Sequence, residues 1–177
     1  MVRQVAAAAI LAAGVIGHVS ASEPDLLARF DGGIGVQPVA NVAGPANGDG
    51  TFQNVKQNIV RGILPGAPWR IASLKAEVDV DGRINVRGRG LLLASGNSIG
   101  LNGNARVFAT LFCEATMPFA EHSTDPVGVA LEPNGDFHIN DVLNPQTPAE
   151  CPSPVLLIRV SGSGVWFAAG IPKLQGN

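Results

Sequence analysis

Between Ile71 and Ala94 the chain reads IASLKAEVDVDGRINVRGRGLLLA, with apolar residues on even positions either side of a turn. Leu74, Ala76 and Val78 come first; Ile84 and Val86 follow, and Gly88 and Gly90 lead on to Leu92. Side chains alternate along a strand with a period of two, and residues opposite one another in a hairpin share a face. A two-residue Asp81-Gly82 loop would set Val78 against Asn85 and mix the faces. A three-residue loop, Val80-Asp81-Gly82 with Gly82 left-handed, sets Val78 against Ile84 and Ala76 against Val86. The other face then carries Lys75, Glu77, Asp79, Arg83, Arg87 and Arg89. One buried and one wet face is the pattern of an antiparallel sheet.

The same alternation, in shorter pieces, runs through the rest of the chain. Val55, Ile59 and Ile63 alternate loosely with polar residues, and ILPGAPW brings Trp69 to the mouth of the hairpin. Ala105–Glu114 is apolar on both faces apart from Arg106 and Thr110, as a central strand ending at Cys113 would be. Val127–Leu131 and Asp136–Leu143 flank the turn Pro133-Asn134-Gly135, and Val155–Val160 and Val165–Ile171 flank Ser161-Gly162-Ser163-Gly164. No window holds a 3.6-residue period over three turns. The prediction is an all-β fold, an antiparallel β-sandwich or flattened barrel of about eight to ten short strands. Residues 22–50 are the least regular: Leu26–Phe30 can begin a strand, and an edge strand is expected around Gly35–Val39 before a long loop.

The first residues read as a processing signal. Arg3 supplies a positive start, Val5–Gly17 an apolar run, and Val19-Ser20-Ala21 the small residues at a cleavage site. The run is too short for a comfortable membrane span, and no later stretch could serve as a transmembrane anchor after cleavage. The expected layout is a signal peptide at 1–21, a partly extended N-terminal segment at 22–50 and a β-sandwich domain at 51–177. The destination is secreted, periplasmic or cell-envelope. At 46% hydrophobic and 15% charged the chain is too apolar for disorder. A formal charge of −2 is no footprint for nucleic acid. Cys113 and Cys151 are the two cysteines, and in an exported chain an even count favours a disulfide. The rivals, a two-Cys metal site and a redox pair, lack supporting ligands or a CxxC.

PWRIASLKAEV, VDGRINVRGRGLLL, ATLFC, CPSPVLLIRV and GVWFAAGIP together resemble a set of bacterial exported proteins of unknown function, over roughly Arg61 to Pro172. The resemblance implies a single secreted β-rich domain with its disulfide between the ATLFC and CPSP segments. It brings no activity, ligand or catalytic residue.

Four groups of residues invite a chemical reading. Gly96-Asn97-Ser98-Ile99-Gly100 matches the G-x-S-x-G nucleophile elbow, with His122 and His138 downstream as bases; but the motif needs a following helix, and LNGNARVFATL reads as turn and strand. Glu121, His122 and Asp125 in a loop, with Asp136 and His138 on one strand face, could form part of a metal site, though no ligand spacing typical of one is present. Lys75, Arg83, Arg87 and Arg89 form a cationic stripe that could meet an anionic polysaccharide or lipid headgroup, with Asp79 answering Arg83 across the strands. Trp69 and Trp166 are the candidate aromatic platforms, against the plainer role of core plugs.

The weight of these patterns falls on a non-enzymatic binding or scaffolding domain without a cofactor, its partner unspecified. The alternatives are a secreted serine hydrolase using Ser98, and a structural subunit that self-associates through the strands Val155–Ile158 and Val165–Ala169.

Overall fold

A computed structural model describes residues 25–37, 41–42, 55–56 and 58–173, so the expected signal peptide lies outside the described residues. The strands are β1 (Leu26–Gly35), β2 (Asn41–Val42), β3 (Val55–Lys56), β4 (Trp69–Arg70), β5 (Ser73–Asp79), β6 (Arg83–Arg89) and β7 (Leu92–Leu93). After a 3₁₀ turn at Gly96–Ser98 come β8 (Arg106–Phe112), β9 (His122–Ser123), β10 (Val129–Ala130), β11 (Phe137–Val142), β12 (Val155–Val160) and β13 (Trp166–Pro172). Nine of them form one antiparallel sheet in the order β10-β8-β12-β13-β1-β5-β6-β11, with β9 also on β8; β2–β3 and β4–β7 pair separately. The ends of the sheet meet, so the fold is all-β and nearly closed into a barrel. Ser123 and Asn144 close one end by exchanging N–H···O bonds of 3.0 and 2.8 Å, and the hairpin between β10 and β11 closes the other.

The β5–β6 hairpin has the register that its parity demands: Val78 faces Ile84, Ala76 faces Val86, and Leu74 faces Gly88. Gly82 has φ +83°, and its N–H bonds Asp79 O at 2.9 Å, which fixes the three-residue loop. Inward positions from six strands of the sheet fill the barrel: Phe30 from β1, Leu74 and Val78 from β5, Val86 from β6, Leu111 from β8, Ile139 from β11 and Leu156 from β12. A second apolar cluster lies on the outside, where Val36 and Ile63 cover Phe112, Leu157 and Trp166. That is why β8 and β12 are apolar on both faces.

Two expectations need correction. The sheet begins earlier than residue 51: β1 sits in its middle, paired with β13 on one side and β5 on the other. The expected edge strand at Gly35–Val39 therefore gives way to a central strand ending at Gly35, and Pro38–Val39 lie outside the described residues. The strands proposed for self-association have no free edge, because β12 lies between β8 and β13, and β13 between β12 and β1.

Cys113 and Cys151 form the disulfide, with Cα atoms 4.4 Å apart. It ties the end of β8 to the approach to β12 and brackets the excursion that makes β9, β10 and β11. In the chain-entropy view such a loop is worth about 4 kcal/mol.

Gly88 faces Phe137 across β6–β11, and a Cβ there would overlap the Phe137 ring. Gly88→Ala is therefore expected to destabilise the protein by about 1–3 kcal/mol through overpacking. Urea unfolding of the two proteins measures this; an unchanged midpoint would show that the ring moves aside freely.

Candidate functional site

The outer wall carries the polar chemistry, in two places. The first is a groove of about 770 Å³ over β8 and β12, lined by Glu121, Ser123, Asp125, Asp141 and Arg159 among others. Arg159 interrupts the apolar run VLLIRV on an outward position opposite Phe108. Its guanidinium lies 5.2 Å from the Phe108 ring centre, and its Nε–H donates to Gly164 O at 2.7 Å. Its Nη1 donates to Thr110 Oγ1 at 3.3 Å and pairs with the Glu121 carboxylate. Thr110 and Ser123 hydroxyls are linked at 2.8 Å. A Cβ on Gly164 would press on the guanidinium, so the Ser161–Gly164 loop has glycine where the arginine passes beneath it. The Arg159 side chain is 11% exposed and that of Glu121 49%. The neighbouring carboxylate of Asp141 accepts the Asp125 and Val142 N–H groups at 2.9 and 2.8 Å. These polar groups largely satisfy each other, and together they hold the β9 segment and the last hairpin against the wall.

The second place is the outer face of β1, β5, β6 and β11. Across these strands Asp31, Lys75, Arg87 and His138 stand side by side in one row. Arg29 pairs with Glu77 at 3.2 Å, Arg83 with Asp81 at 2.9 Å and Asp79 at 3.5 Å, and Lys75 and Lys173 share Asp31 at 4.0 and 3.8 Å. The expected Asp79–Arg83 contact is thus present. Arg87 and Arg89 have no side-chain partner among the described residues. A groove of about 450 Å³ runs beside Arg87, lined by Arg29, Asp31, Lys75, Glu77 and Asn85.

The remaining candidates separate. Ser98 lies exposed on its 3₁₀ turn, which is closed by Gly100 N–H to Leu93 O and Leu93 N–H to Leu101 O, each 2.9 Å; a turn stands where an elbow needs a helix. That turn sits at the end of the barrel where β6 finishes and β8 begins. His122 faces Leu111 near the other end of β8. It is buried, with Nδ1–H donating to Pro145 O at 2.9 Å and Nε2 without a partner. His138 is on the outer face, 3.0 Å from the Asn85 amide. No hydrogen bond joins Ser98 Oγ to either imidazole among the described residues. Asp136 accepts the Gly90 N–H at 3.0 Å instead of converging on His138, and among the described residues no three His, Cys, Asp or Glu are grouped as a metal would need. Trp69 and Trp166 are 3% and 4% exposed. Trp69 stacks on Phe167 with ring centres 4.0 Å apart, and Trp166 donates to Asn58 O at 3.0 Å, so both are plugs and neither is a platform. The Arg159 cluster was missed by the sequence reading; its one signal was a charge on a strand otherwise apolar on both faces.

Glu114 closes the loop behind Cys113 by accepting the Ala120 N–H at 3.2 Å. Partial burial works to raise its pKa, but the backbone groups of Glu114, Ala120 and Cys113, with His122 nearby, outweigh it and hold the carboxyl below its usual value. No helix of the described residues is long and apolar enough to cross a membrane. Comparison with family models, curated proteins and solved structures returns no match.

Two outcomes follow from this geometry. Arg159→Met should cost about 2 kcal/mol or more by removing charge-assisted hydrogen bonds to three segments, whereas Glu121→Gln, at a half-exposed acceptor, should cost less. Equal urea midpoints for the two variants would contradict that ordering. Because the folded pKa of Glu114 is depressed, its stabilisation is present above the unfolded value near 4.3 and is lost as pH falls through the folded value. Glu114→Gln should therefore trail the parent at neutral pH and converge with it in acid; a constant gap in urea midpoint across that range would refute the linkage.

Proposed function

We propose that this protein is an exported, non-enzymatic binding domain of the cell envelope or secreted fraction, and that it binds through the outer wall of its barrel. The observation that carries this reading is the filled interior. Phe30, Leu74, Val78, Ile84, Val86, Leu111, Leu156 and Ile158 come from the inward faces of five strands, β1, β5, β6, β8 and β12, and are at most 1% exposed, so the barrel centre is core.

 A ligand therefore has the outer wall to bind, where the grooves beside Arg159 and Arg87 lie. The apolar run Val5–Gly17 and the small residues before Ser22 support export. The disulfide supports an oxidising compartment. A resemblance to bacterial exported proteins implies the same destination.

The test is to sediment the purified protein with isolated cell-envelope polymers and to assay the supernatant for released fragments. Co-sedimentation without release, the same for Ser98→Ala, is the expected result. Release of soluble fragments that disappears in Ser98→Ala would overturn the reading in favour of a hydrolase.

A further inference from the structure

We infer that the outer face of β5, β6 and β11 is a binding site for an acidic, carboxylate-bearing polysaccharide, with Arg87 and Arg89 as its principal contacts. This rests on the outer-wall reading above and names the ligand class and the place.

Arg87 stands directly opposite Lys75 on one neighbouring strand and His138 on the other. Arg87 and Lys75 are like charges directly opposite, which is unfavourable in an antiparallel pair. Arg89 follows on the same face, one pleat along. Elsewhere on this wall Arg29, Arg83 and Lys173 each have a carboxylate within reach, and Lys75 has Asp31. Arg87 and Arg89 have none among the described residues. On a chain of formal charge −2, this unanswered pair is a local excess and not a reflection of overall composition.

The spacing suits an extended polymer. Arg87 and Arg89 stand two residues apart on β6, about 6.8 Å along the strand, and Lys75 faces Arg87 from the next strand about 4.8 Å away, so one extended polymer can meet more than one cation. Guanidinium groups match carboxylates in a two-pronged geometry. The amides of Asn85 and Asn140 and the hydroxyl of Ser73 lie on the same exposed face, where they can meet sugar hydroxyls. A membrane surface fits less well, because the neighbours of Arg87 and Arg89 on this face are the polar Ser73, Glu77, Asn85 and Asn140, and the exposed aliphatic side chain of β11, Val142, stands at the far end opposite Arg83. Asp31 and Glu77 at its margin would also repel a densely charged bilayer more than a polymer with one charge per sugar.

The experiment titrates the purified protein with oligogalacturonate by calorimetry, with neutral dextran and phosphatidylglycerol vesicles in parallel. Oligogalacturonate should bind, more weakly as salt is raised, and dextran should not. Arg87→Gln/Arg89→Gln should weaken binding about ten-fold or more without lowering the melting temperature, since it removes repulsion and no native contact. Arg83→Gln, on the same wall but already paired, should bind like the parent. Absence of oligogalacturonate binding, equal loss in Arg83→Gln, or binding to vesicles alone would each overturn the inference. Failure here with envelope co-sedimentation intact would refute the ligand class and leave the outer-wall reading standing; loss of both would refute both.

Discussion

Closing the last gap in the barrel wall is the constraint on which the rest of the structure depends. An open sheet would leave Phe137 and Ile139 of β11 and Val107, Ala109 and Leu111 of β8 facing water; closed, they share one core. The gap is closed by polar groups. Ser123 and Asn144 exchange two backbone hydrogen bonds, and Asp141 receives the Asp125 N–H. Thr124 Oγ1 accepts the Ala109 N–H at 3.0 Å, where a regular strand would offer a carbonyl. Unpaired backbone at a buried edge is costly, so each of these bonds protects the apolar surface behind it. The disulfide holds both ends of the segment that makes the closure, which explains its position better than any role in the core.

What the sequence made legible is what alternation controls. The β5–β6 register followed from parity alone, because a slip by one residue would have exposed every core side chain of the hairpin. Strand β12 was placed residue for residue, and Phe137 and Ile139 point inward while His138 and Asn140 point outward, as their parity requires. The central position of β1 was not legible. Its DGGIG reads as turn formers, yet Gly35 lies against the Trp69 backbone, where a Cβ would collide with the carbonyl. A glycine required by close approach looks, in the sequence, like one required by a turn. The Arg159 cluster was hidden for a different reason: Glu121, Thr110 and Gly164 come from separate segments, and no local spacing announces that the closed wall brings them together.

The two polar places on the wall differ in how far their charges are answered. Around Arg159 the Nε and Nη1 donors have partners, and the carboxylates of Asp125 and Asp141 hold backbone N–H groups. Such a network stabilises segments, and a ligand would have to break bonds already made before adding its own. Around Arg87 and Arg89 no side-chain bond among the described residues has to be broken. Exposed ion pairs are individually weak, so leaving two arginines unpaired sacrifices little stability while keeping two strong donors available. The two faces of the barrel therefore differ: charges at the closing seam are engaged in holding the fold, whereas on the regular β5–β6–β11 wall, where the ladder is already complete, Arg87 and Arg89 have no side-chain partner among the described residues.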